Sequence, residues 1–78
     1  MTFTASRAEF DEGDTITVID ELGSSYTGDV TILDGEWYLD DEYRFVTKEN
    51  DKLCLIISSD SAEISGFVRE IRDIEYLD

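Results

Sequence analysis

Apolar and polar residues alternate with a period of two along most of the chain, which is the pattern of half-buried β-strands. In residues 14–20, threonines alternate with β-branched apolar residues, and residues 26–33 show the clearest alternation in the chain. Asp34 and Gly35 follow directly. An Asp-Gly pair is typical of the type I′ turn, whose two central residues both need positive φ, so we predict a hairpin here.

The returning strand of this hairpin is predicted at Glu36–Leu39, followed by a turn at residues 40–42 and another strand at residues 43–47. A polar turn at residues 49–51 leads into an apolar run within residues 52–58, which we expect to be the most buried strand. Tyr38 is expected to face outwards. The core is expected to hold Trp37, Leu39, Tyr43 and Phe45.

The C-terminal segment fits two different structures. Its large apolar residues fall at helical spacing, and residues 60–63 resemble a helix capping box. Against a helix, the segment is rich in β-branched residues and contains Gly66, and the preceding strands need a closing partner. A short helix and a closing strand therefore both remain open. The residues at helical spacing are Ile64, Phe67, Val68, Ile71 and Ile74.

Short strands separated by turn signals every eight to twelve residues or so predict a mainly β protein. We expect a single small antiparallel barrel over residues 1–78, in which residues 1–12 are either flexible or a short N-terminal element. With 78 residues the chain forms one domain at most, and its hydrophobic fraction of 41% is sufficient for folding.

The composition is strongly acidic: 20 Asp and Glu residues against six Lys and Arg residues give a formal net charge of -14. Self-repulsion at this density destabilises a small domain at low salt, so ions or a basic partner are expected to balance it. Carboxylates are spread along the whole chain, which has only two lysines. This composition resembles that of protein surfaces from extreme halophiles. Against this, eight isoleucines and only three alanines depart from the usual haloarchaeal composition and would suit an AT-rich halophile or its virus. Mimicry of nucleic-acid phosphates is the other explanation.

Few residues are suited to catalysis. The chain has no histidine, and its one cysteine, Cys54, lies in the apolar run, so we expect a buried and unreactive thiol. The acidic pairs lack the spacing of a calcium loop, and the glycines form no phosphate-binding motif. We therefore expect no enzymatic activity, no cofactor and no metal site. The sequence shows no signal segment, no membrane-spanning run and no second cysteine, so a cytoplasmic location is expected.

Residues 16–30, ITVIDELGSSYTGDV, resemble the opening strands of Sm-like small barrels, in which a strand, a turn and a Y-x-G-x-V strand follow one another. Asp34, Trp37 and Leu39 lie where that family carries an aspartate and two apolar residues, and residues 68–74 resemble its arginine-containing second motif. The family's RNA-binding asparagine is replaced by Tyr38, and a glycine of the second motif is absent. The resemblance therefore implies a small barrel, and it does not extend to the family's uridine-binding site. Residues 10–20 also resemble the first strand of SH3-like barrels.

The expected function is that of a non-enzymatic barrel that binds another protein in a high-salt cell or virus. No membrane partner is expected, and a homo-oligomer is left open. Direct nucleic-acid binding is not expected, because six basic residues neutralise few phosphates. The alternative is a nucleic-acid-related protein, either an Sm-like RNA binder or an acidic mimic that acts as an inhibitor. The candidate contact residues are Tyr38, Asp40, Asp41, Glu42 and Arg44.

Overall fold

The chain folds into a closed barrel of six antiparallel strands, each paired with the next and the last paired with the first. The computed structural model describes residues 3–58 and 66–77. Within these ranges the helical segments are two turns of 3-10 helix, Ala5–Arg7 and Glu49–Asp51, and no helix could span a membrane. The predicted mainly β antiparallel barrel is confirmed. Its strands are β1 (Thr15–Asp20), β2 (Ser25–Leu33), β3 (Glu36–Leu39), β4 (Tyr43–Thr47), β5 (Leu53–Ile57) and β6 (Val68–Tyr76).

Two strands of nine residues, β2 and β6, allow the short strands to close into a barrel, because each changes neighbours along its length. Residues 25–29 of β2 pair with β1, and residues 30–33 pair with β3. Residues 68–70 of β6 pair with β5, and residues 71–76 pair with β1. The sheet therefore turns a corner at each of these two strands.

Gly28 lies where β2 changes partners, and the turn after β3 crosses it closely. A methyl carbon at Gly28 would lie 2.4 Å from Cβ of Asp40, well inside van der Waals contact. The backbone N–H of Asp40 donates a hydrogen bond to the carbonyl oxygen of Asp29 at 2.8 Å, which holds the turn against β2. The corner therefore requires a residue without a side chain.

The predicted hairpin between β2 and β3 has type I′ geometry, with φ of 53° at Asp34 and 79° at Gly35. The two polar turns predicted further along the chain are also present. In the first of them Asp40 and Asp41 both have positive φ, 54° and 60°. Aspartate enters the left-handed region more readily than most residues, so these turns form without glycine.

The barrel interior is filled from every strand and from the N-terminal segment. Trp37 and Tyr43 are half-buried and pack against this core, whereas Leu39 and Phe45 lie within it. Strand β5 is buried along both faces, as its unbroken apolar run predicts. The buried cluster comprises Phe3, Ile16, Val18, Val30, Leu39, Phe45, Leu53, Leu55, Ile71 and Ile74.

The C-terminal segment forms the closing strand, β6, over the described residues. Its register with β1 shifts, so that Ile19 pairs with Asp73 but Asp20 pairs with Ile71, and Arg72 is the extra residue of a β-bulge. Ile71 and Ile74 are consequently both buried although they are three residues apart. The bulge therefore explains the three-residue spacing of Ile71 and Ile74. The capping-box residues, 60–63, and Ile64 lie outside the described residues.

The N-terminal segment, residues 3–10, crosses one end of the barrel. The backbone N–H of Phe3 donates to the carbonyl oxygen of Ile71 at 2.6 Å, and its carbonyl accepts from the N–H of Leu53 at 3.2 Å. The side chain of Phe3 is buried in the core. The segment is therefore attached to both β5 and β6 by main-chain hydrogen bonds.

We expect Gly28→Ala to lower the free energy of unfolding by about 1–3 kcal/mol, because the added carbon pushes the Asp40 turn away from β2. Asp40→Gly is the matched background, since it removes the clashing Cβ and glycine readily adopts the positive φ found there. In that background, Gly28→Ala should lower the free energy of unfolding by much less. Urea unfolding of the two single variants, the double variant and the parent chain measures this coupling. An equal cost in both backgrounds would show that the Asp40 contact is not the reason for glycine.

Candidate functional site

The predicted contact residues divide into a pair on the side of the barrel and a turn at its end. Tyr38 of β3 and Arg44 of β4 are direct cross-strand neighbours. Nη1 of Arg44 lies 2.5 Å from Oε2 of Glu36, and its Nε is buried with no hydrogen-bond partner among the described atoms. Tyr38 is half-buried, so the ring is partly sheltered while it faces away from the core. We term Tyr38 and Arg44 the outer patch.

The acidic turn at residues 40–42 lies at the end of the same hairpin, and its three side chains are exposed. Its backbone is fixed by Ser58, whose hydroxyl donates to the carbonyl oxygen of Asp41 at 2.7 Å. The N–H of Ser58 donates to the carbonyl oxygen of Glu42 at 2.9 Å. The structure therefore brings the tyrosine and arginine together and leaves the acids nearby on a firmly held turn.

The end of the barrel beside this turn is filled by aromatic rings, and we term it the closed end. The ring centroid of Tyr43 lies 5.0 Å from that of Tyr26 and 5.9 Å from that of Phe67. The guanidinium carbon of Arg69 lies 4.4 Å from the centroid of Phe67, in cation–π contact. Side chains from β2, β4 and β6 thus meet over the core.

Asp20 lies beneath these rings and is fully buried. Its carboxylate accepts hydrogen bonds from the hydroxyl of Tyr26 at 2.6 Å and from the backbone N–H groups of Leu22 and Ser24 at 2.8 and 2.9 Å. Burial alone would raise the pKa of Asp20, but these hydrogen bonds and the charge of Arg69 outweigh it, and the pKa lies below its ordinary value.

Burial and the hydrogen bond to Asp20 raise the pKa of Tyr26 to about 12. A carboxylate that stays ionised and a phenol that stays neutral exchange no proton near neutral pH. The pair instead holds the β1–β2 turn against the barrel. The closed end is thus suited to stability rather than to acid–base chemistry.

The opposite end of the barrel holds an apolar cavity of about 290 Å³ that opens to solvent, and we term it the mouth. Strands β3 and β4 share the two ladder pairs next to their turn, and their pairing ends before it reaches the mouth. The ring of Phe10 lies between those of Trp37 and Phe45, with centroid distances of 5.5 and 5.0 Å. The rest of the lining is Ala5, Ala8, Thr47 and Leu53.

The mouth is not predicted by the sequence pattern, which places Trp37 and Phe45 in the core and gives Phe10 no partner. Phe3 and Phe10 lie in a segment of otherwise small and polar residues, and this is a signal that the segment packs on something. Which rings they meet depends on the closure of the barrel.

A second cavity, of about 410 Å³, borders Cys54 on the outer side of β5. Cys54 is fully buried, as predicted, and burial followed by the nearby charge of Glu70 raises the pKa of its thiol. The thiol is therefore protonated at neutral pH and is a poor nucleophile. Both lysines line this cavity, but Glu21 and Glu70 line it as well, so its charge is mixed.

Within residues 3–58 and 66–77, no cluster of three or more Asp, Glu or Cys side chains is arranged to hold a metal ion. Comparisons of the chain with protein-family models, with curated proteins and with solved structures found no match.

We expect Tyr26→Phe to lower the free energy of unfolding at neutral pH by about 1.5–3 kcal/mol, the range for a hydrogen bond to a charged group. Because the folded pKa of Tyr26 is raised to about 12, the parent chain should lose stability as the pH rises from 10 toward 12. The variant should lose less over that range. Tyr43→Phe, which leaves the bond to Asp20 in place, is the control.

At acid pH the same network has the opposite dependence. The folded pKa of Asp20 is lowered, so its contribution is present above the ordinary carboxyl pKa of 3.8 and is lost as the pH falls below it. Denaturant unfolding across pH 2–4 should show a weaker loss in Asp20→Asn than in the parent chain. Identical acid profiles would contradict this assignment.

Proposed function

We propose that this barrel is a non-enzymatic protein–protein interaction module whose contact surface is the outer patch and the adjacent acidic turn. The position of Tyr38 carries this proposal. It lies on the face of β3 opposite Trp37 and Leu39, which pack on the core, and next to Arg44 across the ladder. Tyrosine and arginine are among the residues that contribute most to binding at protein interfaces.

The net charge of -14 favours a partner with a basic surface. With 20 acidic and six basic residues, most carboxylates have no cation available within the chain for one-to-one pairing. Complementary charge on a partner accelerates encounter and selects against acidic competitors. A second copy of the chain has the same charge and is repelled at low salt.

The family and the environment are part of the same proposal. The closed six-strand meander supports a relationship to SH3-like or Sm-like barrels, which residues 10–30 resemble. The spread of carboxylates along the chain supports a cytoplasm with high salt, in a halophile or in a cell infected by its virus. Fold alone does not determine a partner, so the proposal depends on the surface residues.

We expect Tyr38→Ala to reduce capture of a basic protein partner from the source lysate by about tenfold or more, because an interfacial tyrosine often contributes over ~1.4 kcal/mol. Tyr38→Ala should leave the fold intact, since the ring lies outside the core cluster. The measurement is quantitative affinity capture with the immobilised chain. Leu77→Ala, which truncates an exposed apolar residue next to Thr15 at the start of β1, is the matched control.

Unchanged capture by Tyr38→Ala, with loss in Leu77→Ala, would place the contact elsewhere and contradict the outer patch. Trp37→Ala should behave differently from Tyr38→Ala, because Trp37 packs against Phe10 and the core. Its main effect should be a lower thermal midpoint. This contrast between two neighbouring aromatics separates a binding role from a packing role.

The alternative function, as a nucleic-acid mimic, is favoured by the charge alone. It predicts that the parent chain displaces DNA from a basic nucleic-acid-binding protein and that Asp40→Asn, Asp41→Asn and Glu42→Gln together abolish the effect.

An Sm-like RNA binder instead requires micromolar binding of a U-rich single strand that is lost in Tyr38→Ala and Arg69→Ala. With six basic residues, we expect no such binding at physiological salt.

The thermal midpoint should continue to rise as KCl increases from dilute to molar concentrations. Simple screening is largely complete once the Debye length falls to ~10 Å near 0.1 M salt, whereas a carboxylate surface adapted to high salt gains further stability beyond it. Differential scanning calorimetry over this range measures the effect. A midpoint that levels off at a few hundred millimolar would contradict the high-salt environment and favour the mimic.

A further inference from the structure

We propose that the mouth binds a large apolar side chain, aromatic or branched aliphatic, from a basic segment of the partner protein. This inference rests on the proposed function, because it names a second contact of the same partner. The contact lies at the opposite end of the β3–β4 pair from the acidic turn. It also defines the partner's chemistry: one apolar anchor flanked by lysine or arginine.

The N-terminal segment already demonstrates the mode of binding. Its Phe10 ring inserts between Trp37 and Phe45, at centroid distances of 5.5 and 5.0 Å. Space remains beside it, since the cavity of about 290 Å³ exceeds the ~150 Å³ that accommodates benzene in an apolar protein cavity. A second ring or branched side chain therefore fits next to Phe10.

Because the β3–β4 pairing ends early, strand edges remain along which the backbone of such a segment can lie. The next ladder pair after Tyr38 and Arg44 would join Trp37 to Phe45, and it is not formed in the described part of the chain. An extended segment that passes the mouth can therefore lie along a strand edge while its apolar residue enters the cavity. Strand edges and side-chain pockets act together in this way when proteins bind extended peptides.

Carboxylates around the mouth determine the charge of the segment. Glu9 is next in sequence to Phe10, and Asp34 lies in the turn that precedes Trp37. Asp51 accepts a hydrogen bond from the N–H of Ser6 at 2.9 Å, so it borders the N-terminal segment. These three acidic residues are exposed.

Arg7 and Lys52, two basic residues near the mouth, contact other groups, and Lys48, which follows Thr47, lines the second cavity. The guanidinium of Arg7 lies 4.7 Å from the ring centroid of Phe3, and Nζ of Lys52 lies 3.8 Å from a carboxylate oxygen of Glu70. The field at the mouth is thus negative, and a second copy of the chain, with a charge of -14, is repelled from it. This negative field favours a basic partner segment as the occupant of the mouth.

Trp37 is the only tryptophan in the chain and lines the mouth, so its fluorescence reports binding there. The probe is a short synthetic peptide of lysines and arginines with one central phenylalanine. We expect a saturable change in Trp37 emission at low salt. A peptide with alanine in place of the phenylalanine should bind about tenfold more weakly or worse, because the apolar anchor is absent.

Two variants that fill the cavity locate the site. Ala8→Leu adds a branched side chain to the lining at a position with φ of -69° and ψ of 127°, which leucine adopts readily. Thr47→Leu fills it from β4 at an exposed position, and this variant serves if Ala8→Leu unfolds. Each folded variant, checked by its thermal midpoint, should bind the phenylalanine peptide about tenfold more weakly.

The charge contribution is tested by Asp34→Asn, which keeps a residue suited to the type I′ turn while it removes a carboxylate. Combined with Glu9→Gln, it should weaken binding several-fold at low salt and have little effect at high salt. A neutral peptide with the same phenylalanine that binds as tightly as the basic one would overturn the assignment of a basic segment. Dimers that dissociate in Ala8→Leu would overturn it as well, since the occupant would be a second copy.

Tyr38→Ala distinguishes failure of this inference from failure of the proposed function. Peptide affinity that is lost in Ala8→Leu and unchanged in Tyr38→Ala supports the mouth even if the outer patch binds no partner. Affinity that is lost only in Tyr38→Ala overturns the mouth and leaves the outer patch as the binding surface. The absence of any effect of the phenylalanine peptide on Trp37 emission would also overturn the inference.

Discussion

The corner that β2 makes at Gly28 is the constraint on which the rest of this barrel depends. The chain closes a six-stranded barrel with 78 residues because β2 pairs first with β1 and then with β3. The corner is possible because the Asp40 turn can lie directly on a residue without a side chain. Once β2 turns there, β1 and β3 fall on different sides of the core, and β6 must bend in the same way to meet β1.

This geometry gives the barrel two ends with different chemistry. The β1–β2 and β3–β4 turns lie at one end, where Asp20 and Tyr26 use a buried charge to fix a turn. That arrangement is stable only while the carboxylate keeps its donors, because an uncompensated buried charge is costly. The other end is covered by the N-terminal segment and is left with apolar space beside Phe10. A buried, hydrogen-bonded charge thus lies at the closed end, and open apolar space lies at the mouth.

Most of the fold could be predicted because its signals are local. The Asp34-Gly35 pair specifies its turn by itself, and the apolar run in β5 indicates burial on both faces without reference to any other strand. The C-terminal strand was ambiguous for a physical reason: the bulge at Arg72 places Ile71 and Ile74 on one face at a spacing that a helix would also produce.

The sites were harder to predict because they depend on residues that are distant in sequence. The approach of Tyr38 to Arg44 follows from one short hairpin, so their proximity could be inferred from the strand pattern. The contact of Phe10 with Trp37 and Phe45 requires the N-terminal segment to cross a barrel that is already closed. No pattern of period two or 3.6 encodes such a contact. The cavity beside these rings was therefore visible only in the structure.

The individual carboxylates of this acidic chain have different structural roles. Several of them act within the fold: Oε2 of Glu21 accepts from the backbone N–H of Glu70 at 2.8 Å, and Oδ1 of Asp29 accepts from the hydroxyl of Thr15 at 2.8 Å. Such acids satisfy main-chain and side-chain hydrogen-bond donors of the barrel strands. The net charge therefore overstates the number of carboxylates that a partner could contact. In the function that we propose, recognition depends on the smaller set of exposed carboxylates at the acidic turn and around the mouth, where aromatic rings lie beside them.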